Sequence, residues 1–202
     1  MTASDIIDQL IEGNKRFLSG VSDQSLHLSL EKLKDFSKSG QLPKAIILCC
    51  SDSRAPVEMI FDQDIGDLFV IRVAGNIVAP SLVGSVEFAA TMFQTPLVVV
   101  MGHTQCGAIK ATLEYINNPG AISSENIHDI VGRIKPHIFP IAQLENASLE
   151  EKFAKSIEAN VHASVSQLSH SSRLIEQLVE EQKITVVGAV LDLATGQVRF
   201  LG

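Results

Sequence analysis

The sequence predicts an α/β fold: a mostly parallel central sheet, about four parallel strands plus an antiparallel C-terminal edge strand, flanked by helices and preceded by an N-terminal helical arm. Three observations predict it. Short apolar runs rich in β-branched residues recur at 44–50 (KAIILCC), 68–73 (LFVIRV) and 96–102 (PLVVVMG). Helical patterns separate these runs, and the chain closes on a hairpin signal.

Residues 4–18 read as the first helix. Ser4 is suited to cap its start, and Ile6, Ile7, Leu10, Ile11 and Phe17 fall mostly on one face. That stripe needs a cover, either this chain's own core or another subunit. Residues 1–40 form the helical arm. The three apolar runs that follow are nearly all apolar rather than alternating, which marks strands covered on both faces. Helical patterns begin near Pro56, run from Ser81 to Phe93, and follow Cys106. Strand and helix in alternation imply a parallel sheet with right-handed crossovers. The second half is mostly helical, with a long pattern over roughly 148–182. At the end, ITVVGAVLDL, a turn at Ala194-Thr195-Gly196 and QVRFL form the hairpin whose last strand is the antiparallel edge. With no internal repeat, low-complexity tract or linker, 1–202 reads as a single domain.

At 202 residues and 46% hydrophobic content, the chain is long enough to bury a substantial core. Sixteen basic against 23 acidic residues leave a net charge of −7 with no basic block. That balance argues against nucleic acid or an anionic membrane surface as a partner. The start, MTASDIIDQL, carries no basic leader, and no apolar stretch is long enough to cross a bilayer, so the chain reads as cytoplasmic. Its three cysteines are Cys49, Cys50 and Cys106. An odd count with two adjacent is no disulfide framework; in a reducing compartment metal binding or catalysis is the better reading.

The chemistry collects in two segments. Cys50-Ser51-Asp52-Ser53-Arg54 follows the first strand, and His103-Thr104-Gln105-Cys106-Gly107 follows the third. In an open parallel sheet, ligands bind at the carboxyl ends of the strands, so both segments emerge at one edge of the molecule. Two thiolates and an imidazole suit zinc, and three protein ligands with an open fourth position define a catalytic site. His103 and Cys106 are three residues apart and would share a face if a helix started there. The positive end of a helix would also favour a Cys106 thiolate. Taken singly, each residue has a plainer reading: a strand-end Cys is usually a small buried hydrophobe, and a lone His a satisfied polar group. Their convergence at two strand ends favours the metal. Cys49, one residue out of phase with Cys50, should face the other way into the core. Asp52 and Arg54 make a plain surface ion pair on one reading. Beside a metal, Asp52 either binds the ion directly or pairs with Arg54 and accepts a hydrogen bond from the nucleophile.

The run CxDxR at 50–54, followed by HxxC at 103–106, resembles the β-class carbonic anhydrases. The resemblance spans nearly the whole chain, with LIEGNKRF (10–17), RVAGN (72–76), GSVEFA (84–89) and VGAVLDLATGQV (187–198) as further matches. It implies one Zn2+ per chain, held by Cys50, His103 and Cys106, with Asp52 as a fourth ligand in some states. It also implies reversible hydration of carbon dioxide to bicarbonate and a proton, through zinc-bound hydroxide oriented by the Asp52–Arg54 dyad. Gln41 and Phe69 match substrate-side residues that the family takes from a neighbouring subunit. Gly107 matches a glycine whose N–H faces substrate. A homodimer or tetramer is therefore implied, with the N-terminal helix wrapping its partner.

Some positions depart from the family. Phe88 stands where many members carry Tyr, so no hydroxyl contact is available there. Ile47 stands where some bacterial members need Trp for a second, inhibitory bicarbonate site, and the chain has no Trp. Carbon dioxide needs only a small apolar pocket, which Phe69, Ala74, Val78 and Phe88 are suited to supply. Hydrolysis of carbonyl sulfide or carbon disulfide at the same ligands, and a zinc protein without catalysis, are the competing functions. A thiol phosphatase loop is excluded, because three residues between Cys50 and Arg54 are too few to wrap a phosphate. His27, His128, His137, His162 and His170 read as solvated or locally bonded rather than as proton shuttles.

Overall fold

The computed structural model describes residues 1–21 and 29–202; His27 lies outside them. The sheet has five strands in the order β2-β1-β3-β4-β5. The strands are β1 (Ala45–Cys49), β2 (Leu68–Arg72), β3 (Leu97–His103), β4 (Thr185–Leu191) and β5 (Val198–Leu201). β2, β1, β3 and β4 run parallel, and β5 pairs antiparallel with β4 at the edge, as expected from the alternation and the closing hairpin signal.

Strands β1 and β3 are buried along their whole length, which explains their unbroken apolar sequences. Alternation divides β1 between two cores. Ile46, Leu48 and Cys50 join the core beneath the later helices, and Ala45, Ile47 and Cys49 join the opposite one. Cys49 thus faces away from Cys50, and burial pushes its thiol up to about 12.

Helix α1 (Ala3–Ser19) starts one residue earlier than the sequence suggests. Thr2 caps it in a reciprocal box with Asp5, while Ser4 lies inside the first turn. Thr2 wins because its hydroxyl meets the Asp5 amide and the Asp5 carboxylate returns to the Thr2 amide. The apolar stripe of α1 is covered by this chain's own core: Ile6 and Leu10 are buried with Phe61 and Val99. Buried Asn14 fastens α1 to distant segments, donating to the carbonyls of Ile60 and Gly196 and accepting from the Val198 amide. Helix α2 (Leu30–Ser39) has no buried residue; Leu30 and Leu33 are exposed.

The helix expected near Pro56 is a single turn, α3 (Val57–Ile60), closed by Phe61 and by Asp62 at positive φ. Helix α4 (Pro80–Met92) opens on proline at its first position, where the missing N–H costs nothing. Helix α5 (Gly107–Asn117) follows β3, and α6 (Glu125–Ala142) accommodates two internal prolines. The long pattern over 148–182 is two helices, α7 (Leu149–Ser169) and α8 (Arg173–Glu180), because Ser172 breaks the run by capping the second. Helix α7 lies tightly on β3 and β4. A Cβ at Gly102 would fall 2.6 Å from Val161 Cγ2, so only glycine admits this approach. Among the described residues, no helix is long and apolar enough to cross a membrane.

Candidate metal centre

The β1–β2 connection leaves to one side of the sheet and the β3–β4 connection to the other. Adjacent strands whose crossovers diverge leave a crevice at their carboxyl ends, the place where such sheets bind ligands. In the register of β1 on β3, Cys49 pairs with Met101, so Cys50 leaves its strand one step short of His103. The ligand atoms of Cys50, His103 and Cys106 all lie within 4.8 Å of one another, and all three residues are buried.

His103 and Cys106 converge by a different route from a shared helical face. His103 is the last residue of β3, and Cys106 is the residue before α5. Between them Gln105 takes a left-handed conformation at φ 58, and this tight reversal returns the chain to the sheet edge. Spacing alone suggested a helix; the turn achieves the same convergence.

The donor chemistry fits a metal ion. His103 Nδ1 is hydrogen-bonded to its neighbour's carbonyl, Thr104 O, at 2.8 Å, which makes Nδ1 the donor. Nε2 therefore carries the lone pair. It is buried, has no hydrogen-bond partner among the described residues, and belongs to the sulfur cluster. An orphaned buried acceptor beside two thiols is costly without a cation and natural with one. Burial works against a charge on His103, but the Cys50 sulfur and the Thr104 carbonyl outweigh it and raise its pKa. The two thiols push each other's pKa in opposite directions. The hydrogen bond from Cys106 brings Cys50 down to about 4, with the Gly75 amide adding to the effect. The same bond and burial raise Cys106, against the pull of the Ile109 and Ala108 amides at the start of α5.

Asp52 lies outside the three-residue set and is held by Arg54. The guanidinium donates from Nε to Oδ1 at 2.9 Å and from Nη2 to Oδ2 at 2.8 Å, and the Arg54 amide donates to Oδ1 at 3.0 Å. This fork holds the Asp52 carboxyl well below the usual carboxylate range. Asp52 Oδ2 is 3.8 Å from His103 Nε2, so the pair stands at the mouth of the cluster. Of the two arrangements open to Asp52, the structure contains the pairing with Arg54. Arg54 also donates to Gln105 O at 3.3 Å, joining the two loops.

Gly107 is the first residue of α5 and is exposed. Gln41 and Phe69 are not brought to the cluster within one chain. Gln41 precedes the start of β1, and Phe69 pairs with Ile46 near the amino ends of the strands, whereas the cluster sits at the carboxyl ends. Phe69 packs with Phe88 and Phe93, and Phe88 is half exposed. Ala74 and Val78 lie in the segment after β2, at the cluster's end of the sheet. His128 and His170 are locally hydrogen-bonded, His137 is bonded to the Gln167 side chain on α7, and His162 is exposed, in keeping with the reading of these residues as solvated or bonded rather than as proton shuttles.

Three supports escaped sequence reasoning about geometry. Gly75, at φ 72, donates its amide to Cys50 Sγ at 3.3 Å. A side chain there would strike Ala108 Cβ at 2.9 Å and Ile134 Cδ1 at 2.8 Å. Arg72 donates to the carbonyls of Cys50 and Asp52, bracing the loop from behind. Thr104 supplies the carbonyl for His103. An arginine ending the second strand and a glycine just after it were visible in RVAGN, but what they touch was not.

Residues 45–198 match the family model described as carbonic anhydrase. A carbonic anhydrase of Mycolicibacterium smegmatis is 37% identical over 193 residues, covering 95% of this chain and 89% of its own. Among solved structures, the β-carbonic anhydrase CcaA superposes with a TM-score of 0.75 at 24% identity, covering 98% of this chain and 92% of its own. One of two tetrameric β-carbonic anhydrases from Sordaria macrospora gives 0.73 at 22% identity, with 98% of each chain covered. The family match runs from the first strand into the last and takes in both candidate loops, and with it this chain belongs to the β-carbonic anhydrase family.

Proposed function

We propose that this chain is a zinc-dependent carbonic anhydrase that interconverts carbon dioxide with bicarbonate and a proton, acting as a single-domain protein in the cytoplasm. The observation that carries the reading is the buried convergence of two sulfurs and an unpartnered imidazole nitrogen beside the Asp52–Arg54 pair. Cys50, His103 and Cys106 would hold the ion, a donor set that leaves a fourth position open. When bound, zinc supplies Lewis acidity, drawing a nucleophile from water near neutral pH, an effect for which carbonic anhydrases are themselves the standing example.

The remaining work falls to the chain. Asp52, kept anionic by Arg54, can only accept hydrogen bonds. It therefore orients a nucleophile that still carries a proton and aims its lone pair at carbon. The Gly107 amide, at a helix start where no carbonyl lies one turn earlier, is free to donate to a developing oxyanion. Gln41 and Phe69 lie at the far end of the strands from their own cluster, which supports their contribution to a second copy's site. The smallest active unit is then a dimer.

The test pairs metal analysis with carbon dioxide hydration. The purified chain should carry one zinc ion, lose activity on chelation and regain it with zinc. Asp52→Asn should keep the zinc and lose about a hundredfold in kcat/KM, the scale of a positioned proton-handling group. A protein active without metal, or an Asp52→Asn variant as fast as the parent, would defeat the corresponding part of the reading.

A further inference from the structure

His103 orients its lone pair through the Thr104 carbonyl, and something must hold that carbonyl in place. Thr104 is fastened on three sides. Its amide donates to Leu191 O at 2.9 Å, continuing the β3–β4 ladder one residue past its end. Its hydroxyl accepts the Leu193 amide at 2.9 Å, and Asp192 Oδ1 lies at 3.4 Å from the same oxygen. The residue after it, Gln105, is held by Arg54 through its carbonyl. Leu193 belongs to the β4–β5 turn, which is itself closed by Ala194 N–H to Asp192 Oδ1 at 2.8 Å and by Gly196 N–H to Asp192 O at 2.7 Å. The hydroxyl therefore ties the peptide that accepts from His103 Nδ1 to the C-terminal hairpin.

We infer that the Thr104 hydroxyl is a positioning group for the metal centre: by anchoring its own peptide to the Leu193 amide, it aims the Thr104 carbonyl at His103 Nδ1 and so presents Nε2 to the ion. The residue touches neither metal nor substrate. It acts through His103, as partners behind a metal-bound imidazole do by fixing its tautomer and ring plane. The inference rests on the proposed zinc centre and adds a device that links that centre to the last strand. Replacing the hydroxyl by a methyl keeps the volume but leaves the part-buried Leu193 amide without its acceptor, so the turn and the Thr104 peptide shift together.

The experiment measures the zinc dissociation constant by chelator competition for parent, Thr104→Val and Thr104→Ser proteins, with the visible spectrum of each cobalt-substituted form. Thr104→Val should bind zinc about tenfold more weakly and show an altered cobalt ligand-field band, the scale reported by losses behind a metal ligand. Thr104→Ser, which keeps the oxygen, should restore both. A Thr104→Val protein that is less heat-stable yet keeps parental zinc affinity and spectrum would overturn the inference, because a purely structural role predicts that pattern. Should Thr104→Val not fold, the Thr104→Ser and Thr104→Ala pair, which differ only in the hydroxyl, decides by the same readouts. A parent chain that holds no zinc would defeat the metal centre and this role with it. Tight zinc in the parent beside unchanged affinity in the valine variant would defeat the role alone.

Discussion

Cys106 is the thiol that must give up a proton before it can bind a metal. Its thiol is raised by the hydrogen bond it gives to Cys50 and by burial, whereas Cys50 is already a thiolate through the neutral range. A metal must displace the Cys106 proton, so binding is linked to pH. The sign follows directly: a proton released on binding makes affinity fall as pH falls. For that proton alone, zinc affinity should weaken about tenfold per pH unit; protonation of His103, whose pKa is also raised, adds to the loss, so the fall from pH 8 to pH 6 should be at least about a hundredfold. Chelator competition at the two pH values measures it, and an equal affinity at both would show that no ligand proton is displaced on binding. That Cys50, His103 and Cys106 gather was legible in their placement after two strands. That His103 Nε2 would be the orphaned atom was not, because it depends on which way the Thr104 carbonyl points.

Helix α7 sets how closely the later half of the chain packs on the strands that carry His103. Its Val161 sits over Gly102 and Gly188, where Cβ atoms would fall 2.6 and 2.9 Å from its methyl groups. Gly102→Ala should cost roughly 1–3 kcal/mol through overpacking. Adding Val161→Ala should return part of that loss, because the two changes share one contact. Denaturant unfolding of the single and double variants measures the coupling; strictly additive costs would show that the methyl is accommodated elsewhere. The element boundaries show what pattern reading reaches. Apolar runs gave β1, β2 and β3 to within a residue or so. The split between α7 and α8 and the brevity of α3 were missed, since each depends on a local cap or turn rather than on periodicity.

In the whole molecule, one chain holds its three candidate metal ligands at the carboxyl ends of its strands and Gln41 and Phe69 toward the amino ends. If the site is completed across two copies, defects in different chains should complement. Cys50→Ser removes a ligand, and Gln41→Ala removes the substrate-side amide. Each homo-oligomer should be impaired. Co-expressed mixed oligomers should regain activity, because a Gln41→Ala chain keeps its metal and receives Gln41 from its Cys50→Ser partner. Mixed oligomers no more active than Gln41→Ala alone would place Gln41 outside the site. Exposed Leu30, Leu33 and Leu42 lie on the same arm and strand approach as Gln41, in keeping with a surface that a second copy covers.

By itself the sequence determined the sheet class, the strand that runs antiparallel, the opposite facing of Cys49 and Cys50, and the three candidate ligands. Each follows from period or adjacency along the chain, and burial on two faces or one leaves that mark in composition. Only the tertiary structure decided that α1 covers its own core, that a left-handed Gln105 rather than a helical face turns Cys106 toward His103, and that Gly75, Arg72 and Thr104 hold the site from behind. Those outcomes depend on backbone amides and carbonyls, which every residue carries alike. Their partners are chosen by distance in the folded chain, and no side-chain pattern records them.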